Sequence, residues 1–157
     1  MQLRGTDIVV DKIRAKRNII SGSGATASLS ESDSGSMVLF DRAAGIVFTL
    51  PAACAVGTWY EFAVTTTVTS NSAKFITGAG TELLVGNILN CDTDSADALV
   101  IWNALVGDAY VAVAMNGSTT GGIKGDRVRV TKLNSTTWVV EGITSATGSP
   151  ATPFSAS

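Results

Sequence analysis

Ser34-Gly35-Ser36-Met37-Val38-Leu39-Phe40-Asp41-Arg42-Ala43-Ala44-Gly45-Ile46-Val47-Phe48-Thr49-Leu50-Pro51 carries two short apolar runs around a small polar connector and closes on a proline. Ile46, Phe48 and Leu50 alternate with Val47 and Thr49, the period of a strand with one buried face. Asp41 to Gly45 reads as a hairpin loop, with Gly45 free to take a positive φ. Pro51 lacks the amide a ladder needs and marks a strand end.

The rest of the chain follows the same grammar. Trp59–Thr67 alternates most strongly, with Tyr60, Phe62 and Val64 on one face and Trp59, Glu61, Ala63 and Thr65 on the other. Lys74–Thr77 is a short strand. Glu82–Leu89 and Ala98–Val106 lack a clear period and are read as strands from their surroundings. Ala109–Met115 alternates again. Arg127–Leu133 and Thr137–Ile143 form a last hairpin around Asn134-Ser135-Thr136, with Val128 and Val130 on one face and Arg127 and Arg129 on the other. Eight or nine short strands between turn signals predict an all-β fold, a β-sandwich or jelly-roll-like body. No long internal repeat is evident.

Composition agrees. Among 157 residues there are 16 Gly, 19 Thr and 16 Ser, with few helix formers, the balance of a turn-rich β-protein. The expected organisation is an extended N-terminal arm over 1–25, a body over 26–146 and an extended tail over 147–157. Residues 1–20 hold five basic and two acidic residues, while 21–157 hold six basic and eleven acidic, so a basic arm precedes an acidic body. The opening residues lack the apolar core of a signal peptide. The longest apolar tract, Ala98–Met115, is broken by Asn103 and Asp108 and is too short to span a bilayer. The expectation is a soluble chain made in a cytosol.

Chemistry is sparsely signalled. Histidine is absent, which removes imidazole-based triads and metal sites. Cys54 and Cys91 show no zinc spacing and read as separate thiols. Asp92, Asp94 and Asp97 are dense enough to suggest calcium, but the spacing is not an EF-hand, and a solvated acidic loop is the better reading. Glu61 has no nameable carboxylate partner and fits the solvent side of a strand. Gly22 to Ala27 lacks the third glycine and the βαβ frame of a dinucleotide loop. The sequons at Asn116 and Asn134 are read as turn chemistry. Trp59, Trp102 and Trp138 form either a sugar platform or core and interface, and their apolar surroundings favour the second. No aromatic residue interleaves the basic arm, which argues against direct nucleic-acid binding. These readings predict no enzyme, cofactor or metal.

The stretch Ser34 to Ala52, the segment Gly125-Asp126-Arg127-Val128 with Thr137-Trp138-Val139-Val140, and the closing Gly148-Ser149-Pro150-Ala151-Thr152-Pro153-Phe154 resemble hairpin and tail segments of tailed-bacteriophage structural proteins that recur in head decoration (capsid cement) proteins and in some tail-fibre modules; the compact length and the lack of a fibrous repeat favour the decoration proteins. The resemblance covers about a third of the chain. It implies a homotrimer on the outer surface of the virion head, with the major capsid protein and its own copies as partners and no membrane contact. Candidate capsid or subunit contacts are the arm residues Arg4, Ile8, Val9, Val10, Lys12, Ile13, Arg14, Lys16, Arg17, Ile19 and Ile20, together with Phe154 in the tail. The alternative is a carbohydrate-binding module of a tail fibre or capsid surface.

Overall fold

The computed structural model describes residues 17–94 and 98–157. Twelve strands lie in the described residues: β1 (Ile19–Ser21), β2 (Thr26–Ser28), β3 (Met37–Phe40), β4 (Ile46–Thr49), β5 (Trp59–Val64), β6 (Ala73–Ile76), β7 (Leu83–Asp92), β8 (Leu99–Ala104), β9 (Ala112–Met115), β10 (Arg127–Asn134), β11 (Thr137–Ala146) and β12 (Phe154–Ser155). They form a seven-stranded sheet in the order β1-β3-β5-β10-β11-β7-β8 and a five-stranded sheet in the order β12-β9-β6-β4-β2. The fold is all-β and sandwich-like, with one continuous apolar core.

The deciding stretch does not make a hairpin. β3 belongs to the seven-stranded sheet and β4 to the five-stranded one. The turn at Asp41–Gly45 is a corner that carries the chain across the core. Gly45 has φ +73°, and a Cβ there would lie 2.5 Å from the Ser72 carbonyl oxygen, so the glycine is required for the corner to close. The same crossing recurs. β1, β3 and β5 pair in parallel in one sheet, and β2, β4 and β6 in parallel in the other. The chain from Ile19 to Ile76 thus winds three times between the sheets, laying one strand on each at every turn. Partners along the first sheet are 18 and then 24 residues apart, and along the second 21 and then 27. This lengthening hides the repeat from a search at fixed period.

The remaining strands complete both sheets. β10 and β11 form the expected antiparallel hairpin, which lies between β5 and β7. β11 pairs with β7 in parallel over ten residues, and β8 returns antiparallel to form the edge. Gly86 in β7 has φ +133°, with Val140 O where a Cβ would stand, so the two backbones approach too closely for a side chain. In-register rows fill the core. Ile20, Val38, Phe62, Val128, Gly142, Ile88 and Trp102 align across one sheet. Ala27, Phe48, Phe75, Val113 and Phe154 align across the other. Phe62 stacks on Phe40 at 5.3 Å and on Phe75 at 4.5 Å, tying the two sheets together.

Both ends of the described residues join this body. β1 pairs with β3, so within the described residues the N-terminal segment from Ile19 to Ser21 is part of a sheet. β12 pairs with β9, and Phe154 is buried against Tyr110 with ring centroids 5.6 Å apart.

Candidate functional site

The side chains that face away from the core on the seven-stranded sheet make the most organised surface. Period-two alternation places them there. One row runs Ile19, Met37, Glu61, Arg129, Glu141, Asn87 and Asn103 across the seven strands. The next runs Ser21, Leu39, Ala63, Arg127, Ile143, Leu89 and Ile101. The first is polar in its centre and the second mostly apolar.

Together they form a shallow groove of about 640 Å³ whose lining includes Leu89 and Ile143 beside Arg127, Arg129, Glu61 and Glu141. The charges are mutually paired. Glu61 accepts from Arg17 and lies 3.5 Å from Arg127, and Arg129 Nε lies 3.9 Å from Glu141. Trp59 is clasped between the guanidinium of Arg17 at 4.9 Å and that of Arg129 at 4.4 Å from the ring centroid. Beyond this network the surface is apolar. Ile143 on β11, Leu89 on β7 and Ile101 on β8 are direct cross-strand neighbours, and Leu99 follows opposite Cys91. Ile143, Ile101 and Leu99 are each more than half exposed.

A second charged group lies inside the sandwich. Lys132 and Glu82 are almost fully buried and ion-paired. Lys132 Nζ also donates to the Ser135 carbonyl at 3.3 Å and sits 4.9 Å from the Trp138 ring centroid, while Glu82 Oε2 accepts from Trp138 Nε1 at 3.3 Å. Both charges are engaged within the core, which suits a structural role. Parity within β10 carries the signal for this inward lysine, since Lys132 shares the face of Val128 and Val130. Burial also pushes the nearby Cys54 thiol up, disfavouring its thiolate. Cys54 and Cys91 are both free thiols.

The structure places the sequence candidates as follows. Arg4, Ile8, Val9, Val10, Lys12, Ile13, Arg14 and Lys16 lie outside the described residues, as does Asp97. Arg17 joins the Glu61 and Trp59 network. Ile19 is exposed on β1, while Ile20 points inward and packs against the core. Phe154 belongs to the core. Asp92 Oδ1 accepts from the Asp94 amide at 3.2 Å, and Asp94 accepts from the Gly148 amide. The three tryptophans do not share a platform. Trp138 is fully buried, Trp102 packs inward, and Trp59 is covered by two guanidinium groups. Among the described residues no group of three or more His, Cys, Asp or Glu could hold a metal ion. No protein-family model, curated protein or solved structure matches the chain.

Proposed function

We propose that the chain is a structural subunit that adheres to the outer surface of a tailed-phage head and stiffens it against the pressure of packaged DNA. The observation that carries this reading is the outer face of the seven-stranded sheet. Exposed apolar side chains stand there in register across β11, β7 and β8, bordered by charges already paired with one another. An exposed apolar patch flanked by polar groups marks a protein-binding surface. The sequence resemblance favours the head as the partner, and the major capsid protein in particular; it rests on the β10–β11 hairpin and the tail, since Ser34–Ala52 forms a corner between sheets. Many copies on one shell act by avidity, so each contact can be weak.

The test is cosedimentation of the full chain with expanded heads of the phage that encodes it. Saturable binding at a fixed copy number is expected, together with a higher rupture temperature of the heads. Ile143→Lys, a change at an exposed position, is expected to weaken binding by roughly tenfold or more if the apolar row is the contact. Failure to bind heads, or binding to a glycan panel in its place, overturns the reading.

A further inference from the structure

We infer that the sandwich encloses a water-binding site beneath the edge strand β8, where a buried water accepts from Trp102 Nε1 and donates to Asn90 Oδ1. Among the described residues, four buried side-chain polar atoms have no hydrogen-bond partner on the protein: Asp41 Oδ1, Trp102 Nε1, and both Nδ2 and Oδ1 of Asn90. Asp41 is served through its other oxygen, which accepts from the Ser21 hydroxyl. The remaining three atoms are gathered in one place. Asn90 on β7 is fully buried, and Trp102 on β8 packs against the core. Trp102 pairs with Ile88 and Val100 with Asn90, so the two polar side chains are diagonal neighbours on the inner face of one sheet. Such neighbours stand roughly 7–8 Å apart at the backbone, within reach of an indole ring.

The flanking side chains do not answer these atoms. Val100, opposite Asn90 on β8, is apolar. Thr144, opposite it on β11, donates its hydroxyl to the Leu89 carbonyl at 3.4 Å. A buried donor or acceptor left unpaired carries its full desolvation penalty, so two such side chains on adjacent strands call for a shared occupant. The atoms to be satisfied are an acceptor, Asn90 Oδ1, and two donors, Asn90 Nδ2 and Trp102 Nε1. An anion there faces the Oδ1 lone pairs, and a cation faces N–H groups. Water both donates and accepts, and its size suits a position that solvent does not reach from outside. Bound in this way, it joins the inner face of the edge strand to β7 through side chains, in addition to the backbone ladder. That linkage holds the indole inward and leaves Leu99 and Ile101 on the outer face.

The experiment is nuclear magnetic resonance of the ¹⁵N-labelled full chain in water with no heads present, so its outcome is independent of head binding. Trp102→Phe identifies the Trp102 indole N–H among the three tryptophan signals. In the unmodified chain, a cross-peak from water is expected at the Trp102 indole N–H and at the Asn90 side-chain amide. Its sign is expected to invert in the rotating frame, as dipolar contact with a long-lived water requires and chemical exchange does not. Thr144→Val removes the neighbouring hydroxyl as a relay, and the cross-peaks are expected to persist. Asn90→Leu removes the water's acceptor, and loss of the Trp102 cross-peak is expected, together with a fall in the oxygen-17 relaxation dispersion from long-lived waters. The amide spectrum verifies that each variant folds. Absence of the cross-peaks in the unmodified chain overturns the inference without recourse to any variant. Loss of the cross-peaks in Thr144→Val, or an undiminished Trp102 cross-peak in Asn90→Leu, also overturns it.

Discussion

Asp126 shows how one residue sets the terms of its neighbourhood. Its carboxylate is buried and accepts three backbone N–H bonds, from Gly122 at 2.8 Å, Ile123 at 3.0 Å and Ser145 at 2.9 Å. It thereby ties the turn before β10 to β11. Burial pushes its carboxyl above the usual carboxylate range, against the pull of those amides. A carboxyl whose folded pKa is raised gives stability that is fully present below its unfolded pKa. That contribution is lost as pH rises through the folded value. Asp126→Asn removes the titration and turns an amide NH₂ toward one of three donors. The variant is expected to be less stable than the parent by roughly 1–3 kcal/mol, and the gap is expected to narrow as pH rises from 3 to 7. Urea unfolding across that range measures it. A gap that widens with pH means the three amides outweigh burial.

Among the elements, alternating strands were legible, while of their partners only those within the last hairpin were. Tyr60, Phe62 and Val64 face the core as their period requires, and the β10–β11 hairpin forms around Asn134-Ser135-Thr136. Asp41–Gly45 has the residues of a hairpin loop yet makes a corner between sheets. A glycine-ended turn satisfies both geometries, and only the packing of β4 against β6 decides between them. The groove was half legible for the same reason. Parity places Arg127 and Arg129 outward, but bringing Glu61, Trp59 and Arg17 beside them depends on pairings across the chain. The tail illustrates a small element held by one side chain. β12 has two residues, yet Phe154 closes the row Phe48, Phe75 and Val113 and packs on Tyr110. Phe154→Ala is expected to cost about 3–5 kcal/mol, the range for an aromatic removed from a packed core. A fall in the urea midpoint at unchanged slope measures it. A loss below about 1 kcal/mol means the tail adds little to the core.

At the scale of the molecule, the order of the seven-stranded sheet makes the last hairpin the joint between two halves. The N-terminal coil contributes β1, β3 and β5 on one side, and β7 and β8 lie on the other. Only β10 and β11 connect them within that sheet, and β11 meets β7 across 54 residues of chain, as in the pairing of Thr137 with Leu83. Without the hairpin the three-stranded and two-stranded pieces each have an unpaired edge, and the core side of Phe62 and Ile88 loses Val128 and Val140. Neither half is therefore stable alone, and the chain is expected to unfold in one transition. Trp59 in the coil reports on one half and Trp138 on the joint itself, and far-ultraviolet circular dichroism reports on all strands. In urea, fluorescence from single-tryptophan variants and circular dichroism are expected to give coincident curves. The long-range pairings also place refolding in the slow range of β-proteins, roughly milliseconds to seconds. If the coil retains its strands after Trp138 has become exposed, the hairpin is an addition to a self-sufficient solenoid and does not hold the fold together.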